Sequence, residues 1–168
     1  MPVFLRLLPT LTDAKLVAAI AGHLRRPWAR PVAFEPLHHA FRVWALRDGR
    51  TGWALGDAMA SAARAEHLPV LLDVVGNARY GSSRQMVVHA LSRFKKSPDV
   101  EPALIALLTD ADVALHAMGA LRRSIGPVAA MPYLREVQAT YEGQPLGQTA
   151  LREMRKAEKA IREKHANS

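Results

Sequence analysis

The stretch RQMVVHALSRFKKSPDVEPALIALLTDADVALHAMGALRRSIGP, residues 84–127, reads as one pattern written twice. VVHALSRF and HAMGALRRSI are alike, and each is followed by a proline that opens a further apolar run. Met86, Ala90, Leu91 and Phe94 fall on one face of a helix, as do Val113, Ala117, Ala120, Leu121 and Ile125. Self-similarity of this kind marks stacked helical units, none of which can bury its apolar side without a neighbour.

Working outward, Pro36, Pro69, Pro102 and Pro132 stand 33, 33 and 30 residues apart, each ahead of an apolar run: PLHHAF, PVLLDVV, PALIALL and PYLREV. Proline lacks an N–H and has a fixed φ, so it suits a first helical turn and is costly later; each of the four is expected to mark a helix start. Leu91 and Leu121 both lie 11 residues before the next of these prolines, so the shorter third spacing comes from the turn between helices, GNARYGSS in one unit and TDAD in the next.

The punctuation supports this pairing. Ser82 or Ser83 and Asp110 or Asp112 are candidate caps for the second helices, Ser97 before Pro98 reads as N-cap then first helical residue, and Gly126 before Pro127 reads as a stop. Helices are expected at about 12–25, 35–47, 52–65, 68–77, 83–95, 99–109, 113–125, 130–141 and 146–164, with no strand. LTDAKLVAAIAGHL, with a capping box from Thr10 to Asp13, suits a closing N-terminal helix. LREMRKAEKAIREKH, with pairs such as Glu158 and Arg162, suits a solvent-facing C-terminal one.

Units reading LLDVVGNARYGSSRQMVVHALSRFKKSPDVEPALIALL and LIALLTDADVALHAMGALRRSIGPVAAMPYLREV resemble HEAT repeats, particularly the short bacterial kind related to phycobilisome-lyase repeats. In that family the second helix opens with an acidic turn, then Val-Arg, then an Ala-Leu pair. Arg84 matches the arginine and Ala90 with Leu91 the pair; the following unit has Asp110 and Asp112 in the turn and Ala114 at the arginine position. The resemblance is clear over residues 67–137 and reaches 35–66 only through Pro36 and its spacing. It implies an all-α, right-handed α-solenoid of about four HEAT-like hairpins in a single domain, 1–168. The parts are an N-terminal cap (1–34), repeats at 35–66, 67–98 and 99–129, and a last repeat with a capping helix (130–168). First helices would lie on the convex side and second helices on the concave one.

Composition narrows function. Nearly half of the 168 residues are apolar, enough for one sizeable core. No apolar run has the length of a membrane span, and MPVFLRLLPTLTD lacks the features of a secretory leader, so a cytoplasmic protein with no membrane partner is expected. With no cysteine there is no disulfide, thiolate chemistry or cysteine-held metal. The formal charge of +8, from 23 Lys plus Arg against 15 Asp plus Glu, is spread along the chain.

The densest histidine cluster is EPLHH, where Glu35 and His38 share a helix face while His39 points elsewhere. No HExxH follows, nor the repeated His-Glu pairs of HEAT-type diiron hydroxylases, and no metal or other cofactor is assigned. Ser82 and Ser83 lack a G-x-S-x-G setting. GRTGWALGD, Gly49–Asp57, lacks phosphate-loop spacing and is expected to be a helix–turn–helix corner with Trp53 packed in it.

Candidate binding residues are basic. HLRRPWAR gathers Arg25, Arg26 and Trp28, with Arg30 beside them; RFKK and RRS put Arg93, Lys95, Lys96, Arg122 and Arg123 at equivalent places in successive repeats, where stacking would align them on one cationic edge. Two readings follow. The first is a non-enzymatic interaction module or scaffold for another protein with acidic character. The second is a nucleic-acid binder resembling the alkyl-base DNA glycosylases built on HEAT-like solenoids. Trp44, Trp53 and Asp57 could be assembled into such a site, yet their spacing does not reproduce that family's motif, so no catalytic residue is assigned. A bilin-handling role would follow only from the likeness to lyase-type repeats.

Overall fold

The computed structural model describes residues 3–166, and these contain ten α-helices and no strand. The chain is all-α, and it divides into two compact units, residues 1–90 and 91–168.

The first unit holds α1 (Val3–Leu7), α2 (Ala14–Leu24), α3 (Arg30–Trp44), α4 (Gly49–Ala62), α5 (Leu68–Gly76) and α6 (Gln85–Ala90), with short 3₁₀ segments between them. Its centre is α4, which packs against α2, α3, α6 and the 3₁₀ segment Ala78–Arg84. A helix can be enclosed on so many sides only if small residues let its neighbours approach, and GRTGWALGDAMASA supplies them. Gly52, Gly56, Ala58, Ala60 and Ala62 are all buried along with Leu55 and Met59. A Cβ at Gly56 would stand 2.8 Å from the Ser83 carbonyl oxygen, and one at Gly52 would stand 2.7 Å from Ala45 Cα. Gly49–Asp57 is therefore helix throughout and not the corner expected from its glycines, and Trp53 is partly exposed.

The second unit holds α7 (Val100–Ala106), α8 (Ala114–Ile125), α9 (Pro127–Thr140) and α10 (Pro145–Ala166), preceded by the 3₁₀ segment Leu91–Phe94. Here α8 is central, touching Leu91–Phe94, α7, α9 and α10, and it too is lined with small residues: Ala114, Ala117, Gly119 and Ala120, beside Met118 and Leu121. Gly126, at φ +90°, ends α8 and starts α9, a backbone state that glycine adopts without a Cβ clash.

Several local expectations change. Pro69, Pro102 and Pro127 lie in first turns, but Pro36 is inside α3 and Pro132 inside α9. The actual early prolines of those two helices are Pro31 and Pro127. An interior proline removes one backbone hydrogen bond at a cost of about 3 kcal/mol, which a well-packed helix can outweigh by burial; α3 buries Phe34, Leu37, Phe41 and Trp44 around Pro36.

The single helix expected at 83–95 is a 3₁₀ segment, α6 and a second 3₁₀ segment in succession. Asp13, not Thr10, caps α2, accepting from the Leu16 N–H at 3.0 Å. Ser83 caps nothing, its hydroxyl donating instead to the Gly49 carbonyl at 3.3 Å. Neither Asp110 nor Asp112 caps α8, whose N-cap position is Val113. Nor does Ser97 begin α7, which starts at Val100.

Candidate functional site

The basic residues picked out in the sequence fall into two groups, one in each unit. In the second unit, Arg122 Nε bonds Glu153 Oε2 at 3.1 Å, and Glu153, only 2% exposed, also receives Lys156. A carboxylate enclosed to that degree is stable as an anion only with such partners, so Arg122 and Lys156 serve the junction of α8 with α10. Arg123 Nε donates to Ser92 Oγ at 3.3 Å, and burial beside Arg122 lowers the proton affinity of its guanidinium. Arg93 lies over the Phe94 ring at 5.4 Å, while Lys95 and Lys96 are exposed just beyond. The Arg123–Ser92 bond thus brings the end of α8 to Leu91–Phe94, but Arg122 is held by a structural carboxylate.

In the first unit, Arg25 Nε pairs with Asp57 Oδ2 at 3.0 Å. Asp57 is buried; burial raises its pKa, and Arg25 and His89 oppose that rise. Arg26 and Trp28 stay exposed on the link between α2 and α3. The Trp28 ring is 5.5 Å from His23, and His23 is 5.0 Å from Phe4, edge-on, so three rings form a row on the surface. Trp28 is 48% and Phe4 40% exposed. Across residues 3–34 the only acid is Asp13, occupied in capping α2, against Arg6, Lys15, Arg25, Arg26 and Arg30. The result is an aromatic ledge in a cationic setting.

A cleft in the same unit was not legible in the sequence. It has a volume of about 460 Å³ and is lined by His39, Arg42 and Val43 of α3, by Leu46 in the turn after it, and by Asn77, Arg79 and Tyr80 after α5. The α3 residues recur at i, i+3 and i+4, which is one side of a helix, with Leu46 following in the turn; Leu37, Phe41 and Trp44 take the buried side. The other wall is fixed by local bonds. Asn77 Oδ1 accepts from the Arg79 N–H at 3.2 Å, and Gly81 turns the chain at φ +49°.

Arg84, 1% exposed, then ties that turn to the last turn of α5 through Nε to the Gly81 carbonyl at 3.0 Å and Nη1 to the Val75 carbonyl at 2.9 Å. The arginine singled out by resemblance is therefore a strut within the fold.

His38, next to the cleft residue His39, has its pKa lowered by burial, with Glu35 opposing. Its ring is 6.2 Å from Phe34, whose own ring stacks on His67 at 3.8 Å. Among the described residues no group of three or more His, Cys, Asp or Glu side chains is placed to hold a metal ion, and no helix is long and apolar enough to cross a membrane. Comparison with protein-family models, curated proteins and solved structures finds no match to this chain.

Proposed function

We propose that the chain is a non-enzymatic protein-interaction module of the HEAT-like, armadillo-type α-solenoid kind, acting in the cytoplasm and docking an acidic protein segment on its N-terminal aromatic ledge. The repeat reading rests on the duplicated pattern of residues 84–127 and on the matching small-residue central helices α4 and α8. The right-handed stacking is inferred from that resemblance.

One observation carries the functional reading: Phe4, His23 and Trp28 form a row of rings open to solvent, with Arg26 exposed beside Trp28 and no free acid nearby in residues 3–34. Tryptophan and arginine are the side chains most often dominant in protein interfaces, because each combines a large apolar area with a directional polar group. The covered parts of Trp28 and Phe4 pack on His23, and the parts left in water are the area a partner can still bury. Cations around them select an acidic partner and speed its approach.

The test is selection of binders from an acidic, aromatic-containing peptide library, followed by fluorescence anisotropy with the wild type and two variants. Trp28→Ala and Arg26→Glu should each weaken the selected peptide by about tenfold or more, with an unchanged circular dichroism spectrum. Equal affinity in both variants would refute the ledge. Nucleic acid is the competing partner: a shift of labelled duplex DNA that weakens steeply with salt, with no peptide selected, would replace this reading.

A further inference from the structure

The cleft between α3 and residues 77–80 carries chemistry that the ledge does not use. Arg42 and Arg79 both line it, and neither guanidinium makes an ion pair or hydrogen bond among the described residues. Other arginines of the unit, Arg6, Arg26, Arg30, Arg47 and Arg50, likewise make no side-chain ion pair or hydrogen bond among the described residues, whereas Arg25 has Asp57 and Arg64 has Glu66; what sets Arg42 and Arg79 apart is that both line one cleft. The lining includes no Asp or Glu; His39 and Asn77 add ring and amide donors to the two arginines.

The remaining wall is apolar. Val43, near the end of α3, and Leu46, in the turn after it, are exposed large hydrophobics, and the Tyr80 ring, seated edge-on against Phe41 at 5.1 Å, forms the inner side. Two like charges sharing one opening repel each other, and an anion between them converts that repulsion into two charge-assisted contacts. The planar guanidinium fork matches phosphate oxygens, and a dianion balances two such groups. A volume of about 460 Å³ is in the range of small-ligand pockets and leaves room beyond a phosphoryl group for a body that would lie on Val43, Leu46 and Tyr80. The backbone walls are preformed, one by α3 and the other by the Asn77, Gly81 and Arg84 bonds, so the ordering that binding requires falls on the Arg42 and Arg79 side chains.

We propose that this cleft binds a small organic phosphate monoester, its phosphoryl group between Arg42 and Arg79 and its apolar or aromatic body against Val43, Leu46 and Tyr80. This assignment is independent of the protein-docking ledge, since the two use different side chains.

The test is isothermal titration of the full chain at low salt with phenyl phosphate, with inorganic phosphate and benzyl alcohol as comparisons and amide chemical shifts as the positional readout. Phenyl phosphate should bind one to one, shifting the amides of Val43, Leu46, Asn77 and Arg79. It should bind about tenfold more tightly than inorganic phosphate, because only it reaches the apolar wall. Arg42→Gln and Arg79→Gln should each weaken it by about tenfold or more, without lowering the ligand-free melting temperature, since neither side chain is bonded within the fold and each substitution removes one of two like charges. Leu46→Asn should bring phenyl phosphate down to the level of inorganic phosphate.

Equal binding of the two phosphates by the wild type would overturn the proposal, as would shifts scattered over other basic residues. So would a single-stranded oligonucleotide that displaces phenyl phosphate at equal phosphate concentration, since the cleft would then be part of a nucleic-acid surface.

Discussion

Arg84 and Asp57 are both buried ionisable residues of the first unit, and they answer to different physics. Arg84 is stabilised by the Gly81 carbonyl in its own turn and by the Val75 carbonyl in the last turn of α5, where the helix dipole also favours a cation. Arg84→Met removes the donors and leaves the Val75 and Gly81 carbonyls without those bonds inside the fold. The expected loss is about 2–4 kcal/mol, read as a lower urea midpoint, and it should come with weaker phenyl phosphate binding because the wall of the cleft loosens.

Asp57 is raised by burial above its ordinary value of 3.8. The native state therefore keeps a proton at a pH where the unfolded chain has released it. Its contribution to stability is full below 3.8 and is lost as pH rises through the raised value. Asp48, lowered chiefly by its side-chain bond from Thr51, acts in the opposite direction, so the informative quantity is a difference. The stability of wild type minus that of Asp57→Asn, from urea titrations at successive pH values, should fall across that window and then level off. Parallel curves would contradict the assignment.

Among the elements, α4 shows how close packing can outrank intrinsic preference. Alanine favours a helix over glycine by about 1 kcal/mol, yet at Gly56 its methyl would press on the Ser83 carbonyl at 2.8 Å and Phe41 Cε2 at 3.2 Å. A backbone oxygen in a packed core cannot yield cheaply, and overpacking costs about 1–3 kcal/mol. Gly56→Ala should therefore destabilise. Gly22→Ala, in α2 with nothing within 4 Å of the added methyl, should stabilise by up to about 1 kcal/mol. Thermal melts of the two variants should thus move in opposite directions; a gain at Gly56 would show that α4 is less tightly enclosed than described. Pro36 and Pro132 show the same ranking from the other side, since tertiary burial holds α3 and α9 together across residues that weaken them locally.

For the whole molecule, the positive excess is shared: eleven basic against six acidic side chains in residues 1–90, and twelve against nine in 91–168. A field of one sign accelerates encounter with an acidic partner and is screened by salt. The association rate for a ledge-binding acidic peptide should fall about tenfold between roughly 0.02 and 0.3 M ionic strength, measured by stopped-flow anisotropy, with the dissociation rate much less affected. A rate indifferent to salt would remove charge from the docking mechanism. All three tryptophans, Trp28, Trp44 and Trp53, lie in the first unit, so intrinsic fluorescence reports on that unit directly.

The sequence by itself determined that the chain is helical, where Gly126 interrupts it, and that Val113, Ala117, Ala120 and Leu121 would be buried, because backbone sterics and helical periodicity act over a few neighbouring residues. The stripe expected at Met86, Ala90, Leu91 and Phe94 is buried only in part: with 3₁₀ turns on either side of α6, Val87 and Val88 are buried while Met86 and Phe94 are half-buried. It could not show which cations are engaged. Arg25 meets Asp57, Arg122 meets Glu153 and Arg123 meets Ser92 across some thirty residues of chain, whereas Arg42 and Arg79 come to one cleft with no carboxylate between them. Only the tertiary structure decided that division, since the pairing of a charge depends on what folding brings to it from far along the chain.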